Sequence, residues 1–220
     1  DETIGIFGAG VVNNVSISNN TIDFDDTNVE IKSNPVMCFG LQSTNVENIE
    51  FSNNNVKAIA GGTFMLVDKV DTMIIKGNKF DLTALSAVGT VYFGGTGRSS
   101  NIIFENNNVN LIGNNSTSEV FGDLTEMNNN NINVNTPFII FIEKCNKLYN
   151  NTINFNNEFE QYDNIFAIKR TTLDNDIDVS NNRFIFNTKL TESTRLINIY
   201  ESYLNNFRVT ISNNEVLSDY

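Results

Sequence analysis

Apolar and polar residues alternate along most of this chain, and a short polar pair interrupts the alternation at intervals. In the stretch 101–111, two alternating apolar residues precede Asn106-Asn107 and two more follow the pair. Alternation with a period of two on both sides of a tight polar turn predicts strand, sharp turn, strand. The arrangement recurs eight times, with the pairs at 19–20, 53–54, 77–78, 106–107, 129–130, 150–151, 181–182 and 213–214.

Successive pairs are 21 to 34 residues apart, a spacing that indicates one structural repeat with insertions of variable length. The apolar residues on either side of each pair should point inward and stack from repeat to repeat. Before the pairs these residues are Ile17, Phe51, Ile75, Phe104, Met127, Leu148, Val179 and Ile211. After the pairs they are Ile22, Val56, Phe80, Val109, Ile132, Ile153, Phe184 and Val216.

A third apolar stretch precedes each unit, so the pattern predicts three strands per repeat. The stretches are Ile4–Phe7, Val36–Phe39, Phe64–Val67, Val91–Phe93, Val120–Phe121, Ile139–Ile142, Ile165–Ile168 and Leu196–Tyr200. Several of them are apolar at consecutive positions, which suggests a sheet that is buried on both faces.

With three short strands per repeat and an asparagine at one turn, the chain resembles the right-handed parallel β-helix of pectate lyases and phage tailspikes. The resemblance covers residues 1–220 and implies an all-β fold. It further implies one domain: a single-stranded right-handed parallel β-helix, or solenoid, of about eight rungs with three strands per rung. We expect the chain to be a segment of a longer protein.

The resemblance also implies that one asparagine of each pair stacks into a ladder inside the coil. Asparagine suits such a turn because it tolerates the left-handed backbone conformation and because its amide both donates and accepts hydrogen bonds. We expect the first residue of each pair to be left-handed and the second to form the ladder. The predicted ladder residues are Asn20, Asn54, Asn78, Asn107, Asn130, Asn151, Asn182 and Asn214.

Composition narrows the functions that the chain can have. With 26 acidic and 14 basic residues the net charge is −12, which disfavours nucleic acid and anionic membrane surfaces as partners. The chain contains no histidine, so chemistry that needs an imidazole is excluded. No apolar run approaches the roughly 20 residues of a membrane span. We predict no cofactor and no membrane insertion.

Polar residues at the ends of the first strands are the only candidates for catalysis. They are Asp123, Glu143, Arg170 and Glu201. Because neighbouring rungs lie about 4.8 Å apart, Glu143 and Glu201 should be separated by roughly 9–10 Å, near the upper end for an inverting glycosidase, with Arg170 between them. The competing interpretation, a solvated ladder of opposite charges, is the one we favour.

Two acidic runs, 23–26 and 174–178, could suit Ca²⁺, but neither has the glycine and distal glutamate of an EF-hand. We therefore predict no metal site and interpret both runs as solvated acidic edges.

Two hypotheses about function remain open. The first is a structural β-helix segment of an extracellular or virion-surface assembly, such as a phage tail spike or fibre, with possible carbohydrate binding. The alternative is a polysaccharide lyase or glycoside hydrolase of the pectate-lyase-like fold.

The apolar residues of the first strands predict an exposed face that needs a partner, and the resemblance to phage tailspikes implies that the chain meets this need by forming a parallel homotrimer. Phe39, Phe64, Leu66, Phe93, Ile140 and Ile142 would leave an apolar row exposed if alternate members pointed outward. Three coils packed side by side would cover such a row.

Overall fold

The strand pairings among the residues that the structure describes are all parallel. The structure is a computed structural model. It describes residues 4–6, 11–25, 27, 36–40, 45–61, 63–85, 91–95, 101–158, 163–169, 172–173, 176–200, 203–204 and 208–218. These residues form short strands, β1 to β25, with an all-β architecture of the solenoid type. The described part of the chain contains no helix that could span a membrane.

Strands from successive repeats pair in three rows. The first row contains β1 (Ile4–Ile6), β5 (Met37–Phe39), β8 (Met65–Val67), β11 (Val91–Gly95), β18 (Asn164–Lys169) and β22 (Arg195–Tyr200). The second contains β2 (Val11–Val12), β3 (Val15–Ser18), β6 (Asn45–Ser52), β9 (Val70–Lys76), β12 (Asn101–Glu105), β20 (Ile177–Ser180) and β24 (Val209–Ser212). Two longer strands, β14 (Thr117–Asn128) and β16 (Phe138–Tyr149), belong to both rows and join them into one 15-stranded sheet.

The third row is a separate 8-stranded sheet on the other side of the asparagine turn. Its strands are β4 (Thr21–Asp25), β7 (Asn55–Ala60), β10 (Lys79–Ala84), β13 (Asn108–Gly113), β15 (Asn131–Asn135), β17 (Thr152–Phe155), β21 (Arg183–Phe186) and β25 (Glu215–Ser218). A two-stranded pair, β19 (Thr172–Leu173) and β23 (Tyr203–Leu204), stands apart.

The core is a column of aromatic side chains that runs through successive repeats. Phe51, Phe80 and Phe104 stack with ring centroids 6.2 and 6.1 Å apart. Phe93 and Phe121 stack beside them at 5.1 Å. Removing a side chain of this size from water contributes about 1.5–3 kcal/mol, so the column is a main source of stability.

Most of the sixteen predicted inward residues lie in this core, and the exceptions are in the first and last repeats. Ile17 and Ile22 are partly buried, whereas Ile211 and Val216 are 55% and 48% exposed. The other twelve are buried. The flanking apolar residues of the asparagine turn were therefore correctly predicted wherever described repeats pack on both sides.

The prediction of an exposed apolar row on the first strands was wrong. Phe39, Phe64, Phe93, Ile140 and Ile142 are all buried within one chain, and Leu66 is half-buried. The reason is that two consecutive residues point into the core at this place in repeats whose first-row side chains the structure describes. Pairs such as Phe64-Met65 and Phe141-Ile142 both belong to the core, so strict alternation does not hold there.

Part of the other face of these strands is also buried. Cys38 and Ala167 alternate with inward residues and are nevertheless only 2% and 0% exposed, whereas Ile139 on β16 is 53% exposed. Most of the apolar row that a trimer was expected to cover is thus buried, and the trimer stays a prediction without this argument.

Candidate functional site on the outer surface

The asparagine turn sets which side chains face inward and which face solvent. The first residue of each pair has a positive φ, from 53° to 66°. These residues are Asn19, Asn53, Gly77, Asn106, Asn129, Asn150, Asn181 and Asn213. A left-handed residue reverses the side on which the next side chain emerges, so the second asparagine turns into the coil.

The second asparagines form a continuous ladder of hydrogen bonds. In each repeat the backbone N and Nδ2 both donate to Oδ1 of the next asparagine, at 2.9–3.2 Å. Nδ2 also donates to a main-chain carbonyl, as Asn107 does to the oxygen of Ile75 at 2.9 Å. Six of the eight are buried: Asn54, Asn78, Asn107, Asn130, Asn151 and Asn182. The buried part of the ladder is therefore a structural element that offers no surface to a ligand, whereas Asn20 at one end is exposed and Asn214 at the other is half-buried.

Two of the four catalytic candidates lie together, at the corner between the first and second rows. Glu143 is in register with Gly122, which precedes Asp123. The carboxylate Oδ1 of Asp123 is 2.8 Å from Nζ of Lys144, and both residues have positive φ. Asp123 is therefore already held in an ion pair. Arg170 and Glu201 lie outside the described residues, so their place in this group stays a prediction.

A second polar cluster lies on the outer face of the second row, centred on Glu126. Its carboxylate accepts hydrogen bonds from Nδ2 of Asn128 at 2.8 Å and from the hydroxyl of Tyr149 at 2.5 Å. Nζ of Lys147 lies 3.7 Å from the same carboxylate. The bond to Glu126 raises the pKa of Tyr149 to about 12, because ionising the phenol would place two negative charges together.

Glu126, Lys147 and Tyr149 were not among the candidates named from the sequence. Tyr149 is in register with Asn128, one repeat earlier, and both sit one residue before the asparagine pair. The position of Tyr149 directly before the asparagine pair was the sequence signal that could have identified it. Similar ion pairs join adjacent repeats elsewhere, for example Lys76 and Glu50 at 3.1 Å. Such half-exposed pairs contribute little to stability.

The outer face of the third row carries a patch of uncharged amides, which we call the amide face. It consists of eight residues on the outer side of β13, β15 and β17: Asn108, Asn110, Asn131, Asn133, Asn135, Thr152, Asn154 and Asn156, the last of which follows β17. Ile112, also outward on β13 and 43% exposed, borders the patch in register with Asn135. Asn108, Asn131 and Thr152 are in register, as are Asn110, Asn133 and Asn154. The side chains are thus arranged as a grid.

Within this grid the described side chains make one bond to each other, from Nδ2 of Asn154 to Oδ1 of Asn133 at 3.1 Å. One further bond, from Nδ2 of Asn187 to Oδ1 of Asn156 at 2.7 Å, reaches its margin. Unlike the inner ladder, the outer asparagines leave most of their donors and acceptors directed at solvent.

No group of three metal-ligating side chains occurs among the residues that the structure describes. In the first acidic run, Asp25 accepts bonds from the backbone N and Oγ1 of Thr27 at 2.9 and 2.6 Å. These bonds lower the pKa of the exposed Asp25 carboxyl. Part of the second run, 174–175, lies outside the described residues.

Comparisons with known proteins found no match: no protein-family model, no curated protein and no solved structure is similar to this chain at a significant level. The outer surface therefore has to be interpreted from its own chemistry. The Glu126 cluster and the Asp123–Lys144 pair are internally neutralised, whereas the amide face offers unpaired hydrogen-bonding groups without charge.

Proposed function

We propose that this chain is a right-handed parallel β-helix in which the three rows are the three sides of one coil. In each repeat the chain passes from the first row to the second, turns at the asparagine pair and enters the third. Parallel strands connected within one sheet are right-handed in almost all proteins, which supports the handedness. We propose the resemblance to pectate-lyase-like and tailspike proteins from the same arrangement of three rows and an asparagine turn.

We further propose a structural role in an extracellular or virion-surface assembly, with carbohydrate as the ligand of its outer surface. The observation that carries the structural part is the continuity of the interior. The ladder from Asn20 to Asn214 and the aromatic column bind every repeat to its neighbours along the axis. Such an interior resists bending and local opening, as a shaft requires.

The alternative is a polysaccharide lyase or hydrolase that uses Asp123 and Glu143. The observation in its favour is that the two residues lie at neighbouring backbone positions of adjacent strands, since Glu143 is in register with Gly122. Against it, Lys144 neutralises Asp123 at 2.8 Å, and a paired carboxylate is a poor base.

A product assay separates the two. The chain is incubated with a panel of neutral and acidic polysaccharides, and reducing ends and unsaturated products are measured. A structural protein should release neither. Product that appears with the unmodified chain and disappears in Glu143→Gln, while Glu126→Gln retains it, would establish the enzyme and overturn the structural proposal.

A further inference from the structure

The amide face has a composition that strand formation alone does not favour. Asparagine is depleted in β-strands because its side chain competes with the backbone for hydrogen bonds. Seven of the eight residues of the amide face are nevertheless asparagine, and their mutual bonding is limited to Asn154 with Asn133. These amides therefore contribute little to the stability of the sheet in which they lie.

The charges around the amide face are neutralised locally. On one side, Nζ of Lys79 is 2.8 Å from Oδ2 of Asp81; on the other, Nε of Arg183 is 2.9 Å from Oε2 of Glu215. No residue of the amide face itself is ionisable. The chain as a whole carries a net charge of −12. An anionic ligand would be repelled by that charge and would find no cation in the grid.

From these observations we infer that the amide face binds an uncharged polysaccharide. A sugar hydroxyl both donates and accepts a hydrogen bond, and the asparagine amide does the same from adjacent atoms. Three parallel strands present these amides in fixed register, so a regular polymer can meet several of them at once. This inference rests on the carbohydrate-binding part of the proposed function and gives it a location.

The size of the amide face argues against a second copy of the chain as the occupant. Three strands about 4.8 Å apart, each with outward residues about 6.7 Å apart, give an area of roughly 300 Å². A stable protein interface takes about 800 Å² on each partner. Two copies would also bring together chains of net charge −12 each.

Native electrophoresis in gels that contain a soluble polysaccharide tests the inference. The neutral probes are dextran, galactomannan and mixed-linkage β-glucan, and the anionic probes are alginate and polygalacturonate. We expect at least one neutral probe to retard the wild-type chain and neither anionic probe to do so. The retardation should be the same at about 0.01 and about 0.5 M salt, because no charge pairs form.

The variant Asn110→Asp/Asn133→Asp adds two negative charges to the amide face and removes two donors. We expect it to bind the retarding neutral probe roughly tenfold more weakly. The matched control, Asn13→Asp/Asn146→Asp, makes the same change at one exposed and one half-exposed asparagine outside the third row and should bind as the wild type does. Thermal unfolding of all three proteins checks that the fold is kept, and Asn131→Asp serves if the double variant does not fold.

The inference is overturned if no neutral probe retards the wild-type chain, if only the anionic probes do, or if both double variants bind equally well. None of these results would contradict the proposed structural role. That role is tested separately by the product assay, which does not depend on the amide face.

Discussion

Asn78 donates two hydrogen bonds to a single atom of Asn107, from its backbone N and from Nδ2 to Oδ1, each at 3.0 Å. Asn107 repeats the arrangement with Asn130 at 2.9 and 3.2 Å. Because each amide accepts from one neighbour and donates to the other, the loss of one member leaves groups unpaired on both sides.

The first prediction concerns that loss. Asn107→Leu should lower the free energy of unfolding by roughly 1–3 kcal/mol for each polar group left buried and unpaired. The matched control is Asn110→Leu, three residues further along, where the side chain is half-exposed and makes no hydrogen bond to a described residue. Urea denaturation of both variants gives the comparison, and equal midpoints would mean that the ladder contributes nothing.

The left-handed residue of the turn gives the second prediction. Asn106 has φ of 55°, a conformation that costs a β-branched residue about 1–2 kcal/mol or more. Asn106→Val should therefore destabilise the chain by about that amount, whereas Asn106→Gly should be nearly neutral, since Gly77 fills the same place one repeat earlier with φ of 66°.

Asn108→Val is the control for the second prediction, because Asn108 is an exposed strand position where valine is well tolerated. Thermal unfolding of the three variants provides the measurement. If Asn106→Val were as stable as Asn108→Val, the turn would have to adopt another backbone conformation.

A third prediction follows from the bond between Tyr149 and Glu126. The pKa of Tyr149 is raised to about 12 from 10.0. Stability from this bond is complete below pH 10 and is lost as the pH rises from about 10 to 12, where the unfolded chain ionises first. Ultraviolet titration of the wild-type phenols should show one fewer tyrosine ionising near pH 10–11 than the same titration of Glu126→Gln. In that variant the pKa of Tyr149 returns toward its ordinary value.

When Tyr149→Phe is made in both the wild type and Glu126→Gln, the difference between their titration curves should vanish. That result would assign the difference to Tyr149. A Glu126→Gln curve that overlays the wild type would show that the carboxylate is not the cause of the shift.

The fourth prediction concerns the two cysteines, which are buried and not bonded to each other. They lie in β5 and β16, in the second and sixth repeats, which separates them by roughly 19 Å along the stacking direction at 4.8 Å per repeat. Burial raises the pKa of Cys38 to about 11 and that of Cys145 to about 12. At pH 8 a thiol reagent should thus modify neither side chain until denaturant is added, and both should then react.

Peptide mapping without reduction supplies the independent check on the cysteines. A peptide that links Cys38 to Cys145 would contradict the assignment of strands to repeats. Rapid labelling of Cys145 in the folded chain would contradict its burial.

The turn and its two flanking apolar residues could be predicted from the sequence because three constraints coincide there. Asparagine is one of the few residues that tolerate a positive φ, the pair sits at a fixed place in the alternation, and the spacing repeats along the chain. Phe80, Asn78 and Gly77 were each assigned correctly for this reason.

The first row could not be predicted in the same way, because a period of two cannot represent two consecutive residues on one side of a strand. Phe64 and Met65 both enter the core, and so do Val120 and Phe121. Alternation therefore assigned to the surface several side chains that are buried. Glu143 and Asp123 lie at the corner between the first and second rows, next to these strands. Residue spacing along the sequence does not define that corner, so the proximity of the catalytic candidates could not be predicted from spacing alone.

The direction of the hydrogen bonds in the ladder has an electrical consequence. Every Oδ1 from Asn54 to Asn214 accepts from the asparagine of the preceding repeat, so the side-chain carbonyls all point the same way, although Nδ2 also donates to a main-chain carbonyl of the preceding repeat. Aligned amide dipoles add, as they do in an α-helix. This stack of uncharged amides should therefore have a positive end and a negative end. The electrostatic energy of an ion or dipole near the axis would then depend on the direction of the solenoid.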